Sequence, residues 1–137
     1  MRTLKEIILK EASDSMLEKT ILKNGRVKHV VELLHMIISD YDFSCHDYKQ
    51  LEIYNSRLSG CGFTAIKIAL AIFGEVWAPK TDFSWAAMEK AEFAWSYFSY
   101  ANFSRTRMTR SYFFETDFTG ANFSHADLTA SSFVNCN

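Results

Sequence analysis

The sequence predicts a mainly β fold, a chain wound into a narrow tube of roughly square section with a helical segment over its first 40 residues. Three observations predict the tube. A large apolar residue recurs every five positions, a small residue stands two places before each, and side chains twenty positions apart form columns of one kind. A spacing of five matches neither the 3.6-residue period of a helix nor the two-residue alternation of a strand.

Counting in fives from Phe83, the centre positions read Phe83, Met88, Phe93, Phe98, Phe103, Met108, Phe113, Phe118, Phe123, Leu128 and Phe133, all large and apolar. Two places ahead stand Thr81, Ala86, Ala91, Ser96, Ala101, Thr106, Ser111, Thr116, Ala121, Ala126 and Ser131, all small. A coil whose five-residue units each make one side and one turn satisfies both constraints. Four units then return the chain to its start one strand spacing higher, about 4.8 Å. The large centre residue points at the axis and stacks on its equivalent twenty residues later. The small residue also faces inward, and the other three positions face out.

Columns twenty apart extend the coil. Asp82, Phe83 and Ser84 recur as Asn102, Phe103 and Ser104 and again as Asn122, Phe123 and Ser124. The same phase gives Gly62, Phe63 and Thr64, then Asp42, Phe43 and Ser44, which carries the coil over residues 41–137. Phe73, Phe93, Phe113 and Phe133 form a second column, and Leu58, Phe98 and Phe118 a third. Residues 66–80, "IKIALAIFGEVWAPK", fit the pattern poorly, since Ala78 is small for a centre and Ile72 would face outward. They read either as coil, because the twenty-residue phase survives them, or as a helix inserted against it.

The segments "ANFSR", "TDFTG", "ANFSH" and "ADLTA" closely match a small residue, then Asn or Asp, then Leu or Phe, then two variable positions. With them the chain resembles the pentapeptide-repeat family, specifically over 81–135 and more weakly over 41–65. The resemblance implies a right-handed quadrilateral β-helix. Members range from topoisomerase inhibitors to bacterial effectors, so the fold does not fix the function.

The first 40 residues read as helical. Ser15 and Glu18 have capping-box spacing ahead of "MLEKTILKNG", and Gly25 is placed to stop that helix. A longer helix is expected from about Val27 to Ser39, with Val27, Val30, Val31, Leu34, Ile37 and Ile38 on one face, and Leu4, Ile7 and Ile8 suggest a short one at the start. Residues 1–40 are therefore expected to form an α-helical cap over the first coil, or else a helical module that recruits a partner.

Composition narrows the function classes. With 48% hydrophobic and 15% aromatic residues, the chain suits a single folded domain. Fifteen basic against sixteen acidic residues give a net charge of -1, so direct nucleic-acid binding is not expected. The widely spaced Cys45, Cys61 and Cys136 resemble no disulfide framework, and together with His29, His35, His46 and His125 they form no set at metal-ligand spacing. Neither metal nor cofactor is expected. The N-terminus lacks the pattern of a signal peptide, and the longest apolar run is too short to span a bilayer. The expectation is a cytoplasmic protein, or an effector delivered into a host cell without a standard signal. Catalysis is not expected: the column Ser44, Ser84, Ser104 and Ser124 beside His125 reads as an outward polar ladder, and a filled axis leaves no deep pocket.

Function is then expected on the outer surface. Trp95, Tyr97, Tyr100, Tyr112 and Phe114 fall at outward positions on two adjacent sides, rimmed by Glu92, Glu115 and Asp117, with Trp85 around a corner. Such a patch reads as packing between strands or as a protein interface, where Trp and Tyr carry much of the binding energy. Arg105 should lie one strand above Trp85, within cation–π reach. The leading expectation is a non-catalytic module that inhibits or otherwise modulates a protein target through this face. The alternative implied by the resemblance is a duplex-DNA mimic that inhibits a topoisomerase or another DNA-binding enzyme. Residues 81–137 carry six acidic side chains against four basic ones, a weak field for mimicry. Phe123, Leu128 and Phe133 stand near the last coil end, and a homodimer through that coil is expected, as in several topoisomerase-inhibiting members of the family.

Overall fold

Burial repeats every five residues, and that repetition winds the chain. The computed structural model describes residues 16–23, 26–45 and 48–137. Over these residues the fold is mainly β, a right-handed quadrilateral β-helix of about five turns. Its strands are β1 (Met16–Lys23), β2 (Arg26–Leu34), β3 (Ile37–Ser39), β4 (Tyr48–Tyr54), β5 (Arg57–Ser59), β6 (Ile68–Gly74), β7 (Glu92–Ala94), β8 (Tyr112–Phe114) and β9 (Ser132–Val134), with a 3-10 turn at Phe43–Cys45. Strands β2, β4, β6, β7, β8 and β9 pair in parallel, each residue with the one twenty positions on. The sides without long strands keep the same register through single bridges such as Asp82 with Asn102 and Trp77 with Tyr97.

Each side is named here by its inward centre residues. Side one carries Phe43, Phe63, Phe83, Phe103 and Phe123, and side two Tyr48, Ile68, Met88, Met108 and Leu128. Side three carries Leu33, Ile53, Phe73, Phe93, Phe113 and Phe133, and side four Ile38, Leu58, Ala78, Phe98 and Phe118. On side one the rings stack face to face with centroids 4.5, 4.5, 4.9 and 4.9 Å apart. Side three continues the stack from Phe73 to Phe133 at 4.8, 5.3 and 4.2 Å. Edge-to-face contacts tie the columns together, as between Phe93 and Phe98 at 5.1 Å. Burying each Phe contributes about 1.5–3 kcal/mol, and favourable ring pairing adds about 0.5–1.5 kcal/mol.

Most corners use a left-handed residue, although β4 and β6 run through theirs as continuous strands. Sixteen non-glycine residues have positive φ, together with Gly60 and Gly120, and all lie two places after a centre residue. At corners such as Phe83 to Ala86 the N–H three residues on donates to the centre carbonyl at 3.0 Å, the pattern of a type II turn, whose third residue needs positive φ. None of the eighteen is Val, Ile, Thr or Pro, the residues least able to adopt that conformation. At the corner from side three to side four the N–H takes a different partner. Val76 N–H donates to Ser96 Oγ, and Met36 N–H to Ser56 Oγ, both at 3.0 Å. The small inward residue is thus also a hydrogen-bond acceptor for the coil below.

Two expectations are corrected. The helices expected at 16–25 and at Val27–Ser39 are strands in the described residues: β1 and β2 form an antiparallel hairpin, and β2 pairs with β4 from Val30 onward. The coil register therefore begins upstream of residue 41. Leu33 and Ile38 occupy centre positions in phase with Phe43, and both are buried. The large residues at the neighbouring inward positions, Met36 and Tyr41, hid that phase. The Val-rich segment prefers the pleated backbone once a strand pairs on each edge. The helix suggested by Leu4, Ile7 and Ile8 lies outside the described residues. Residues 66–80 form coil: β6 pairs on both edges, and Val76 and Ala78, both buried, exchange the large and small roles of their unit.

Two measurements check this account. Phe83→Ala, at the middle of the side-one stack, should cost about 3–5 kcal/mol by chemical denaturation, with Phe133→Ala at the half-exposed end losing far less. Ala65→Gly should raise stability by about 1 kcal/mol, because Ala65 is exposed and held at φ 54°.

Candidate functional site

Among the described units ahead of the last coil, only three positions reach solvent: the residues just before and just after the centre, and the corner residue. Their side chains repeat one strand spacing apart, so the outer surface is a set of columns. Many are structural. Asp82, Asn102 and Asn122 each accept a hydrogen bond through Oδ1 from the backbone N–H two residues on, at 2.9, 3.1 and 2.9 Å. Asn102 and Asn122 also donate down the column. Asp117 and Asp127 cap the N–H groups of Thr119 and Thr129 in the same way. The bonds from the Thr129 hydroxyl and N–H hold the Asp127 carboxyl below its usual range.

The Ser44, Ser84, Ser104 and Ser124 column belongs to this scaffold, since each of these N–H groups is taken by the preceding Asp or Asn. Cys61 is buried, and burial pushes its thiol up to about 11, which keeps it protonated and a poor nucleophile near neutrality. Among the described residues no three His, Cys, Asp or Glu side chains gather where they could hold a metal ion.

The expected aromatic face divides into three groups. On side three, Trp95 and Tyr112 are exposed, with Phe114 half-buried. Trp95 meets Phe114 edge-on at 5.3 Å, and Tyr112 stacks with Phe114 at 6.3 Å. Glu92 lies beside Tyr112 in register. On side four, Tyr97 stacks on Trp77 at 6.3 Å with planes 4° apart, and the Arg57 guanidinium covers Trp77 at 4.9 Å. Tyr100 stands apart on the next corner, over Gly120, where a Cβ would come within 2.5 Å of its ring. Trp85 is held by Arg105 at 4.8 Å, as the twenty-residue spacing predicts.

A groove runs along the corner between sides three and four, with a volume of about 970 Å3. One rail is Glu75, Trp95, Glu115 and Asn135; the other is Trp77, Tyr97, Asp117 and Asn137; Val76, Ser96 and Thr116 form the floor. The structure thus joins Trp95, Tyr97, Glu115 and Asp117 in one concavity. It leaves Tyr112, Phe114 and Glu92 on the adjoining side and Tyr100 beyond the far edge. Phe123 and Leu128 are half-buried at the last coil, and Phe133 is 45% exposed.

Two features are added to those read from the sequence. Trp77 and Arg57 belong to the Tyr97 column; the signal was the twenty-residue spacing, masked by the unsettled state of residues 66–80. Charge is also segregated. Among the described residues the outward positions of side three carry Glu32, Glu52, Glu75, Glu92 and Glu115 and no Lys or Arg. Adjacent side two carries Lys49, Lys67, Lys90, Arg107 and Arg110 against Glu89 and Asp127. Tyr54, on side three, has its phenol pushed up to about 12 by burial and by Glu52.

Residues 80–113 and 106–137 match the sequence profile of pentapeptide repeats, in eight copies. No curated protein sequence matches the chain. Among solved structures, a trypsin-treated variant of QnrB1, a plasmid-mediated fluoroquinolone resistance protein, is 17% identical with a TM-score of 0.53, over 78% of this chain and 74% of its own. A pentapeptide repeat protein from the Arabidopsis thaliana thylakoid lumen is 23% identical, over 74% of this chain and 68% of its own, with a TM-score of 0.36. Rfr23 from the cyanobacterium Cyanothece 51142 is 13% identical, over 77% and 89%, also at 0.36. The QnrB1 likeness shows a shared fold and nothing of function. Five-residue burial, twenty-residue register and the matched profile together make residues 80–137 a pentapeptide-repeat segment of that family.

Proposed function

We propose that the chain is a non-catalytic module that binds a protein target through the groove between sides three and four, as an inhibitor or effector acting in the cytoplasm or inside a host cell. The observation that carries this reading is the exposure of Trp77, Trp95, Tyr97 and Tyr112 on adjoining columns, beside Glu75, Glu115 and Asp117. Solenoid surfaces are ordinarily polar, and a contiguous aromatic patch with an acidic rim is the composition of a binding face.

A second reading, DNA mimicry, draws support from the five glutamates of side three. Ile72 and Tyr112 interrupt the Glu32, Glu52 and Glu92 column, and Asp82, Asp117 and Asp127 are engaged in their own turns. Mimicry therefore ranks second.

A photo-crosslinking residue replacing Trp95 should give a saturable adduct with a protein from the native host, and the same residue replacing Ser124 on side one should not. Equal labelling from both positions would sink the groove reading. Inhibition of gyrase supercoiling that is abolished by Glu52→Gln with Glu92→Gln, yet indifferent to Trp95→Ala, would favour mimicry instead.

The exposed end of the ring stacks supports a further part of the proposal, a homodimer in which Phe123, Leu128 and Phe133 of two copies meet. Light scattering should give a dimer mass that Phe133→Asp reduces to a monomer; a wild-type monomer at high protein concentration would remove the dimer.

A further inference from the structure

The fold uses one arrangement twice: a guanidinium lying over an aromatic ring one coil away. Arg57 covers Trp77 at 4.9 Å, and Arg105 covers Trp85 at 4.8 Å, each pair twenty residues apart. The first pair belongs to a column that continues. Bridges place Arg57, Trp77, Tyr97 and Asp117 on four successive coils. One face of Trp77 receives Arg57 and the other receives Tyr97, whose ring is parallel to within 4°. The second face of Tyr97 then looks toward the level of Asp117, whose side chain is too short to cover a ring, and Tyr97 is 39% exposed.

The surroundings of that face carry one sign of charge. Glu75, Glu115 and Asp117 line the groove with Trp95 across from Tyr97, and no Lys or Arg is among the lining residues. Asp117 Oδ1 accepts the Thr119 N–H at 2.8 Å, which leaves Oδ2 for another donor.

We infer that the groove receives an arginine side chain from a basic segment of the partner, its guanidinium stacked on Tyr97 and hydrogen-bonded to Asp117 and Glu115. A guanidinium is planar, weakly hydrated and presents donors in a fork, so it stacks on a ring and pairs with a carboxylate at once. An ammonium of the same charge satisfies only the second requirement. The inferred contact continues the ladder Arg, Trp, Tyr by one further planar cation, at the level where the chain's own column supplies a carboxylate. It rests on the reading of this groove as the protein-binding face.

The test uses the whole chain and three end-blocked hexapeptides that alternate Gly with Arg, Lys or citrulline, followed by calorimetry and tryptophan fluorescence. The arginine peptide should bind saturably, the lysine peptide about three- to tenfold more weakly, and the citrulline peptide not at all. Asp117→Asn keeps the Oδ1 acceptor for Thr119 while removing the charge. It should weaken arginine-peptide binding by about three- to tenfold with an unchanged denaturation midpoint, as should Tyr97→Leu. Should Tyr97→Leu lower that midpoint, Asp117→Asn alone decides. Glu52→Gln, lower on side three, should leave the arginine peptide's affinity unchanged.

Equal affinity for the arginine and lysine peptides, indifference to Asp117→Asn, or no binding of the arginine peptide would each overturn the inference. If the peptide fails while the crosslink from position 95 persists, the arginine contact is wrong and the groove remains a protein-binding face. A peptide that binds as expected without any site-specific crosslink would leave the arginine site standing and remove the function built on it.

Discussion

The structure depends on rings stacked at the spacing that β hydrogen bonding imposes. Parallel strands lie about 4.8 Å apart, and the Phe63, Phe83, Phe103 and Phe123 rings follow one another at 4.5–4.9 Å. Backbone pairing and ring contact therefore favour the same rise per coil, and neither strains the other. This agreement lets a narrow tube fold without the two-layer core of an ordinary domain. Among the described residues the centre side chains ahead of the last coil are buried along the axis.

Corners are the cost of that winding. A left-handed residue costs about 1–2 kcal/mol, and the chain uses one at most corners, with a side chain in all but two of the eighteen. Burial of one centre Phe contributes about 1.5–3 kcal/mol, so each unit can sustain its own turn. The corner also determines what the surface can be. It aims a side chain outward between two sides, and at the side three to side four corner it turns through a bend rather than the hydrogen-bonded turn of the Phe83 corner. Trp95 and Glu115 stand on one lip of that bend and Tyr97 and Asp117 on the other, which opens the groove.

Surface chemistry follows from the same periodicity. The outward Asp and Asn residues accept N–H groups of their own turns, so part of the acidic content is structural and one oxygen of each such side chain is committed to its turn. Among the described residues glutamates accumulate on side three, while lysines and arginines accumulate on side two. A net charge of -1 conceals this division, because composition sums over faces that the winding separates. The aromatic groove borders the acidic side, and the chemistry that fits it is cationic and planar.

By itself the sequence determined the winding, the inward columns and the outward position of every aromatic from Trp85 onward, because a period of five and a register of twenty are local arithmetic that no distant contact can alter. It also placed Arg105 on Trp85. Tertiary structure alone decided the rest. Residues 26–39 have apolar spacing that suits a helix, and it took pairing with β1, β4 and β5 to make them strands. Met36, Tyr41 and Val76 obscured the pattern because the small position can be large where its neighbours yield space, a property of packing and not of the unit. The groove likewise depends on a corner whose N–H groups bond to Ser96 and Ser56 on the next coil, a contact between residues twenty apart that fixes which aromatics face one another.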